Sequence, residues 1–141
     1  MINLDLSWFI YKISFRDSYL MVPISLANLA KQFKVVNKGI FPYDFANFNK
    51  LDYIGKVPDF KYFNKITIEQ YNNYLNIFKN KEWNFKNETI NYCNQDCISL
   101  YQVIIKFNEL IFNKYSINIH NYPTLPSLTF AIYRLSLFKR F

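Results

Sequence analysis

The chain has 141 residues, of which 51% are hydrophobic and only 19% are charged, a composition that excludes a disordered segment and fits one folded domain. Lys and Arg number 17 against 10 Asp and Glu, so the formal net charge is +7. A basic balance of this size favours a polyanionic partner, nucleic acid first and an anionic membrane surface second. With only 2 glycines, the chain has no glycine-rich phosphate-binding loop.

The amino-terminal part of the chain predicts a strand followed by a helix. Aromatic and β-branched residues alternate with polar ones over residues 8–15, which is typical of a strand, and the polar residues 16–19 form a turn after it. Apolar residues spaced at i, i+3, i+4 and i+7 then predict a helix over 26–33. The polar tripeptide at 37–39, Asn-Lys-Gly, is a stop signal for that helix.

Residues 40–65 predict a long loop, because prolines and a glycine interrupt them and aromatic residues occur without a regular period. Two interpretations of these aromatic residues remain open. They anchor a surface loop to the body of the domain, or they stack on nucleic-acid bases beside the lysines of the same segment. Thr67 and Gln70 then have the form of a capping box, which predicts a helix from there to about Lys79.

The longest predicted helix covers residues 86–114, and a short strand is predicted over 116–119. One apolar stripe on this helix is expected to face the core; it consists of Ile90, Cys93, Cys97, Leu100, Ile104 and Phe107. The two cysteines are expected to be small apolar members of that stripe. A disulfide framework needs more cysteines, and a zinc site needs more ligands than these two residues. Thr124 is a suitable N-cap for a last helix that reaches Phe141.

Tyr92 and Asp96 form the one constellation with catalytic potential. They lie four residues apart on the long helix, so they share a face beside the apolar stripe. A carboxylate in that position is costly unless it is paired, solvated or bound to a metal ion, and a phenol one turn away is able to hold a water beside such an ion. A two-metal nuclease needs this arrangement. An ordinary surface pair has the same spacing, and the spacing alone leaves both interpretations open.

The order of several motifs resembles the protein-primed B-family DNA polymerases of linear plasmids, especially fungal and plant mitochondrial ones, and of small bacteriophages. The motifs are F-R-D-S-Y at 15–19, P-I-S-L at 23–26, L-A-K-Q-F at 29–33, Y-C-N-Q-D-C at 92–97 and P-T-L-P-S-L at 123–128. In that family the first three lie in the 3′–5′ exonuclease domain, the fourth is its third exonuclease motif, and the last leads toward the polymerase module.

The resemblance implies an α/β fold, namely the second half of a ribonuclease H-like exonuclease domain that is rich in helices because the first strands of its sheet are missing. It assigns residues 1–120 to that domain and 121–141 to the start of the connection to the polymerase module. The implied function is DNA replication with proofreading. A mitochondrial location, either organelle-encoded or on a linear plasmid, agrees with the abundance of residues that A+T-rich codons specify.

The resemblance also implies residue roles. Asp96 matches a metal-binding aspartate, and Tyr92 matches the tyrosine that orients the nucleophilic water. Asp17 and Ser18 match a signature to which we assign a scaffolding or DNA-strand role. The candidate DNA-binding residues are Asp17, Ser18, Tyr19, Lys31 and Lys34.

The implied cofactor is a divalent metal ion, Mg²⁺ or Mn²⁺, and the implied partners are a single-stranded DNA 3′ end and, for the intact polymerase, a terminal protein. The family's three other metal-binding carboxylates are expected upstream of Phe15 and are not found there. The chain alone is therefore expected to be inactive and not to hold the metal stably. An incomplete sheet is also expected to leave an open edge and an uncovered core, and hence poor solubility.

Two other interpretations remain. The chain is a small, basic, aromatic-rich module without catalytic activity that binds nucleic acid or another partner. Alternatively, residues 133–140 bind a membrane surface, because they combine basic and apolar side chains. No transmembrane segment is predicted, since charged residues interrupt the longest apolar stretches well below the ~20 residues that a span needs. Under the polymerase resemblance no membrane partner is expected.

Overall fold

The structure is a computed structural model that describes residues 3–138. Within these residues the fold is mixed α/β, with four helices and two small antiparallel sheets of two strands each. In chain order the elements are β1 (Asn3–Trp8), β2 (Tyr11–Arg16), α1 (Leu26–Phe33), β3 (Ile54–Gly55), α2 (Ile68–Ile77), β4 (Trp83–Asn84), α3 (Phe85–Tyr115) and α4 (Leu125–Phe138).

The first two strands form a hairpin, so the prediction of one strand over residues 8–15 is wrong. Trp8 is opposite Tyr11, which leaves Phe9 and Ile10 as a two-residue turn. Such turns usually contain Asn, Asp or Gly, which adopt positive φ readily, but here Phe9 adopts a φ of 51°. The turn therefore carried no sequence signal. Residues 4–8 and 11–16 of these strands expose their side chains, including the apolar ones.

Helix α1 has the predicted bounds and packs on the central part of α3. Leu29 and Ala30 of α1 are buried, as is Val103 of α3, and the rings of Phe33 and Phe107 meet edge to face. This packing follows from the apolar face of α1, whose spacing is set by the helical period. The contact between α1 and α3 positions the segment after α1, which contributes to the candidate site.

The predicted apolar stripe of α3 is wrong in its amino-terminal half. Ile90, Cys93 and Cys97 are exposed, and both cysteines are free thiols. The buried residues of α3 are instead Phe85, Ser99, Val103 and Ile111. In this half of the helix the segment that follows α1 packs against the face of Tyr92 and Gln95, which turns the apolar side chains of the predicted stripe outward.

Residues 40–65 form an irregular segment with one-turn 3₁₀ helices and the short strand β3, which pairs with β4. Phe41, Phe45, Trp83 and Phe85 form a buried aromatic cluster, defined here by these four residues. Phe41 and Phe45 thus anchor the segment to the body of the domain, as the first interpretation of the loop requires. The predicted capping box is confirmed, because Thr67 Oγ1 accepts from Gln70 N and Gln70 Oε1 accepts from Thr67 N.

A second core cluster joins the end of α3 to α4 and consists of Met21, Ile111, Ile117, Ile119 and Leu128. The short strand predicted over 116–119 is wrong. Ser116 has a φ of 57° and ends α3, and Asn118 then caps a 3₁₀ turn over Ile119–Asn121. These local hydrogen bonds satisfy the backbone without a partner strand.

The predicted N-cap of α4 is confirmed, since Thr124 Oγ1 accepts from Ser127 N at 3.3 Å. Residues 139–141, which include the end of the predicted last helix and of the candidate membrane-binding segment, lie outside the described residues. Among the helices of residues 3–138, none combines the length and the hydropathy needed to cross a bilayer. The boundary predicted at residue 120 stays a prediction, and Leu128 shares its core cluster with Met21 and Ile111.

Candidate active site

The segment that follows α1 is held along α3 by three side chains of that helix. The bonds join Lys106 Nζ to Phe33 O (2.9 Å), Val36 N to Gln102 Oε1 (3.1 Å) and Gln95 Nε2 to Asn37 O (2.9 Å). The first of these places an ammonium group on the carbonyl end of α1, where the helix dipole favours a positive charge. The chain after α1 is therefore fixed in direction before it reaches Lys38.

Gly39 allows a close approach between this segment and α3. A Cβ atom at Gly39 would lie 2.9 Å from Tyr92 Cδ2, closer than real Cβ atoms come to other heavy atoms, and 3.1 Å from Gln95 Oε1. A side chain at this position would push the Tyr92 ring away. The absence of a side chain thus lets the backbone beside Lys38 lie directly on the helix face that carries Tyr92.

Because of this packing, Lys38 lies next to Asp96 and Tyr92. Its Nζ lies 3.9 Å from Asp96 Oδ2, and it also lies 5.5 Å and 5.7 Å from the ring centroids of Tyr43 and Tyr92. The ammonium group is therefore attracted both by the carboxylate and by the faces of two aromatic rings. Lys38 was not among the predicted site residues, because the pattern around it indicated only the end of a helix.

Asp96 has one carboxylate oxygen in an unusual state. Oδ1 is buried and has no hydrogen-bond partner among the described residues, whereas Oδ2 faces Lys38. Leaving a buried acceptor unpaired costs about 1–3 kcal/mol, and more for a charged group. A buried carboxylate oxygen without a hydrogen-bond partner is able to coordinate a cation.

Tyr92 is held on three sides. Its ring stacks on Phe41 with centroids 4.9 Å apart, its edge meets Tyr43, and its hydroxyl hydrogen-bonds to the Tyr43 hydroxyl. Burial raises the pKa of Tyr92 well above its usual value, and the hydrogen bond to Tyr43 and both the polar interaction with and the charge of the neighbouring Asp96 carboxylate raise it further. Tyr92 is therefore a neutral phenol at physiological pH, which is able to donate a hydrogen bond and to accept one.

The described residues fit one ligand position of a metal centre and not a complete centre. Within residues 3–138, no group of three or more His, Cys, Asp and Glu side chains is placed to hold an ion. A two-metal centre needs several carboxylates around two ions that lie ~3.5–4 Å apart. Asp96 offers one buried carboxylate oxygen, which is fewer ligands than such a centre needs.

Comparison with known proteins assigns the chain to a family. The whole chain, residues 1–141, matches the family described as DNA polymerase type B, organellar and viral. The chain belongs to this family. It is 46% identical over 132 residues to a probable DNA polymerase of Neurospora intermedia, a match that covers 88% of the chain and 14% of that relative.

Two further relatives agree with this assignment. The chain is 42% identical over 132 residues to a probable DNA polymerase of Ascobolus immersus, covering 88% of the chain and 11% of the relative. It is 35% identical over 133 residues to a probable DNA polymerase of Agaricus bitorquis, covering 89% of the chain and 16% of the relative. The type B polymerase chain thus spans less than one fifth of each of these relatives. No solved structure gave a significant match.

The other predicted site residues of this type B polymerase chain are spread over different surfaces. Asp17 Oδ1 accepts from Tyr19 N at 2.9 Å and so caps a 3₁₀ turn over Ser18–Leu20. Ser18 and Tyr19 line a cavity of about 220 Å³ on the side of α1 that faces Leu100. The cap gives Asp17 a local structural role, and the scaffolding or DNA-strand role expected for it stays a prediction.

The two lysines predicted to bind DNA line different cavities. Lys34 lines a cavity with Tyr101 and Lys106, whereas Lys31 lines a groove together with Lys38. The structure therefore brings Tyr92 and Asp96 together and adds Lys38 and Tyr43 to them. Of the predicted DNA-binding residues, Lys31 lines the groove that Lys38 and Tyr43 also line.

Proposed function

We propose that this chain supplies one part of the 3′–5′ exonuclease centre of a type B DNA polymerase, within a ribonuclease H-like domain. In this proposal residues 1–120 belong to that domain and residues 121–141 lead toward the polymerase module. The observation that supports it most directly is the meeting of Lys38, Tyr92 and Asp96 at one place, in a chain of this family. The buried, unpartnered Oδ1 of Asp96 adds chemical support.

Each residue of the site has a role in this proposal. Asp96 Oδ1 contributes one ligand to a divalent ion, Mg²⁺ or Mn²⁺, whose other ligands come from carboxylates outside the described residues. When bound, the ion lowers the pKa of a water and stabilises charge at the scissile phosphate. The neutral hydroxyl of Tyr92 orients that water by hydrogen bonding, and Tyr43 holds the Tyr92 hydroxyl in place. The ammonium group of Lys38 orients the Asp96 carboxylate through its contact with Oδ2.

The substrate in this proposal is the single-stranded 3′ end of DNA, and the whole protein is a nucleotidyltransferase that replicates DNA and proofreads it. The net charge of +7 supports a nucleic-acid substrate. The organellar and viral scope of the family and the fungal relatives support a mitochondrial location, on an organellar or plasmid genome. A terminal protein that primes synthesis is the further partner we propose for the intact polymerase.

The proposal is tested by replacing the matching 132 residues of the Neurospora intermedia relative with this chain. The measurement is the release of 3′ nucleotides from a 5′-labelled single-stranded oligonucleotide in Mg²⁺. Asp96→Ala is expected to slow this release by at least about a hundredfold, since a metal ligand contributes several kcal/mol to transition-state stabilisation. Tyr92→Phe is expected to slow it less, because only the orientation of water is lost.

Template-directed synthesis by the same chimera shows that it is folded, and it should be unchanged by Asp96→Ala. Glu109→Ala is the matched control, because Glu109 is an exposed carboxylate of α3 that lies outside the site. Nucleotide release that survives Asp96→Ala would refute the exonuclease proposal. If the isolated chain still bound DNA in that case, the interpretation as a non-catalytic nucleic-acid-binding module would replace it.

A further inference from the structure

The hairpin of β1 and β2 separates apolar from polar side chains by face. Because successive residues of a strand point to opposite faces, each pair of opposed residues belongs to one face only. The three opposed pairs on one face are aromatic or aliphatic, namely Leu4 with Phe15, Leu6 with Ile13 and Trp8 with Tyr11. We call these six residues the apolar hairpin face.

The other face of the hairpin is polar. Asp5 lies opposite Ser14 and Ser7 lies opposite Lys12, and Lys12 Nζ is 3.5 Å from Asp5 Oδ2. One apolar and one polar face is the pattern of antiparallel strands that bury one side and leave the other side in water. The charges of the hairpin therefore stay hydrated when its apolar face is covered.

No element within residues 3–138 covers the apolar hairpin face. Its least exposed members, Leu4 and Phe15, are 49% exposed, and Trp8 is 74% exposed. Phe9 and Ile10 in the turn, at 91% and 89%, add apolar surface at the tip of the hairpin. Because an isolated two-stranded hairpin is at best marginally stable in water, a partner on this face would stabilise the hairpin itself.

The exposed area is large enough for a specific interface. At these exposures the six residues present on the order of 700 Å² per copy, close to the ~800 Å² per partner of a standard specific interface. The largest apolar patch on a typical monomer is about 300–600 Å². The apolar hairpin face is thus above the usual size for a surface that stays in contact with water.

A second copy of the chain matches this face in shape, size and chemistry. Two sheets with flat apolar faces pack about 10 Å apart, with interdigitating side chains. The same face on a second copy meets this requirement, and a two-fold axis between the copies makes the contact self-complementary. The two hairpins then form a two-layer sandwich that shields both apolar faces from water at once.

Net charge opposes this association. Each copy carries +7, so two copies repel each other at low salt. The charged residues of the hairpin, Asp5, Lys12 and Arg16, lie on its polar face, so the contact itself buries no charge. Added salt should therefore strengthen the association, because it screens the repulsion and leaves the burial of apolar area intact.

We infer that the apolar hairpin face is a self-association surface, through which two copies of this chain form a two-fold symmetric dimer. The inference goes beyond the proposed exonuclease function, because Tyr92 and Asp96 take no part in it. It gives a role to the hairpin, whose aromatic side chains belong to neither core cluster.

The test measures self-association of the 141-residue chain by sedimentation velocity over about 1–200 µM protein, the range in which a weak interface of this size dissociates. The chain has two tryptophans, and because Trp83 is fully buried, acrylamide quenches mainly Trp8. Dimer formation should reduce the quenching of Trp8 at the protein concentrations at which the sedimentation coefficient rises. Both changes should move to lower protein concentration when NaCl is added.

Ile13→Lys and Ser14→Lys form a matched pair of variants, because they add the same charge at neighbouring exposed positions on opposite faces. Ile13→Lys should weaken the dimer at least about a hundredfold, since it would bury an unpaired ammonium group in each copy. Ser14→Lys should change the dimer Kd by less than about threefold, because its charge stays in water. Far-UV circular dichroism checks that both variants are folded as the unchanged chain is.

A chain that stays monomeric at the highest concentration, or equal losses in the two lysine variants, would overturn the inference. A dimer in which acrylamide still quenches Trp8 freely would overturn it too, because another surface would then hold the copies together.

Two other occupants of the face are outcomes of the same quenching measurement, and either would overturn the inference. Protection of Trp8 in a monomeric chimera with the Neurospora intermedia relative, measured against its Trp8→Phe variant, would show that the rest of the polymerase covers the face. Protection only after phosphatidylserine vesicles are added would assign the face to a membrane surface. None of these measurements involves nuclease activity, so each result leaves the exonuclease proposal unaffected.

Discussion

Two regions of this chain are both rich in aromatic residues, but they have opposite environments. The hairpin of β1 and β2 exposes Trp8 by 74% and Phe9 by 91%, whereas the aromatic cluster buries Trp83 completely, at 0% exposure. The hairpin strands pair with each other, while the cluster joins segments that are distant in sequence. Aromatic content therefore does not identify a core, because burial depends on which distant segments converge.

The energetic consequence differs accordingly. A large buried aromatic side chain removes roughly 150–250 Å² from water, which at about 25 cal/mol per Å² is worth roughly 4–6 kcal/mol. An isolated two-stranded hairpin is at best marginally stable in water. The aromatic cluster also supports the site, because Phe41 stacks directly on Tyr92. Stability and site geometry therefore depend on the cluster and not on the hairpin.

The largest effect is expected from Trp83→Ala. Because Trp83 is fully buried and meets Phe45, Tyr53 and Phe85, its removal leaves a large cavity. The free energy of unfolding should fall by about 3–5 kcal/mol. Urea unfolding followed by far-UV circular dichroism measures this change. A loss below about 1 kcal/mol would show that the cluster is not the stabilising core.

A smaller effect is expected from Tyr74→Phe. The Tyr74 hydroxyl accepts from Trp83 Nε1 at 2.8 Å, so the substitution leaves a buried indole N–H without its partner. The free energy of unfolding should fall by about 1–3 kcal/mol. Tyr11→Phe in the hairpin is the matched control, because Tyr11 is 70% exposed. Urea midpoints that shift equally for both variants would contradict the prediction.

Tyr74, which packs against the aromatic cluster, should also make the free energy of unfolding depend on pH in the alkaline range. Burial raises the pKa of Tyr74 to about 12, partly opposed by its hydrogen bond from Trp83, whereas an unfolded tyrosine titrates near ~10. Between these two pKa values the folded state binds more protons than the unfolded state. The stabilisation that Tyr74 contributes is therefore fully present below pH ~10 and is lost as the pH rises toward 12. Tyr74→Phe should reduce this fall, measured as the urea midpoint between pH 9 and about 11.5. Urea midpoints that fall equally with pH in the variant and in the unchanged chain would refute this pH dependence of Tyr74.

The smallest effect is expected from Trp8→Ser in the hairpin. Since Trp8 is 74% exposed, the free energy of unfolding should change by less than about 0.5 kcal/mol. The same substitution should reduce light scattering at high protein concentration, because it removes part of an exposed apolar surface. Static light scattering and a urea titration on the same sample check both statements. A destabilisation close to that of Trp83→Ala would break the contrast between the two regions.

Local signals explain which elements were predicted from the sequence. The apolar spacing gave the bounds of α1 as the structure has them, and the side chains of Thr67 and Thr124 cap α2 and α4 as predicted. Each of these features depends on residues within a few positions of one another. The hairpin turn at Phe9 lacked such a signal, because its residues are not the usual ones for positive φ.

The candidate site was predictable only in part, for the same reason. Tyr92 and Asp96 are one turn apart on α3, so the helical period alone places them together. Lys38 reaches Asp96 because Gln95 and Gly39 bring a distant segment onto α3. No spacing in the sequence indicates that contact. The outward direction of Cys93 and Cys97 depends on the same packing.

Sequence patterns were enough to predict the positive charge, the helices with their caps, the shared helix face of Tyr92 and Asp96, and the family, which the family match confirms. The burial of Trp83 beside the exposure of Trp8, the contact of Lys38 with Asp96, and the groove lined by Lys31 and Lys65 arise from tertiary packing. The two groups of features differ in the range of the interactions that set them. Caps and helical faces are set within one or two turns, whereas burial and charge pairing depend on which distant segments pack together.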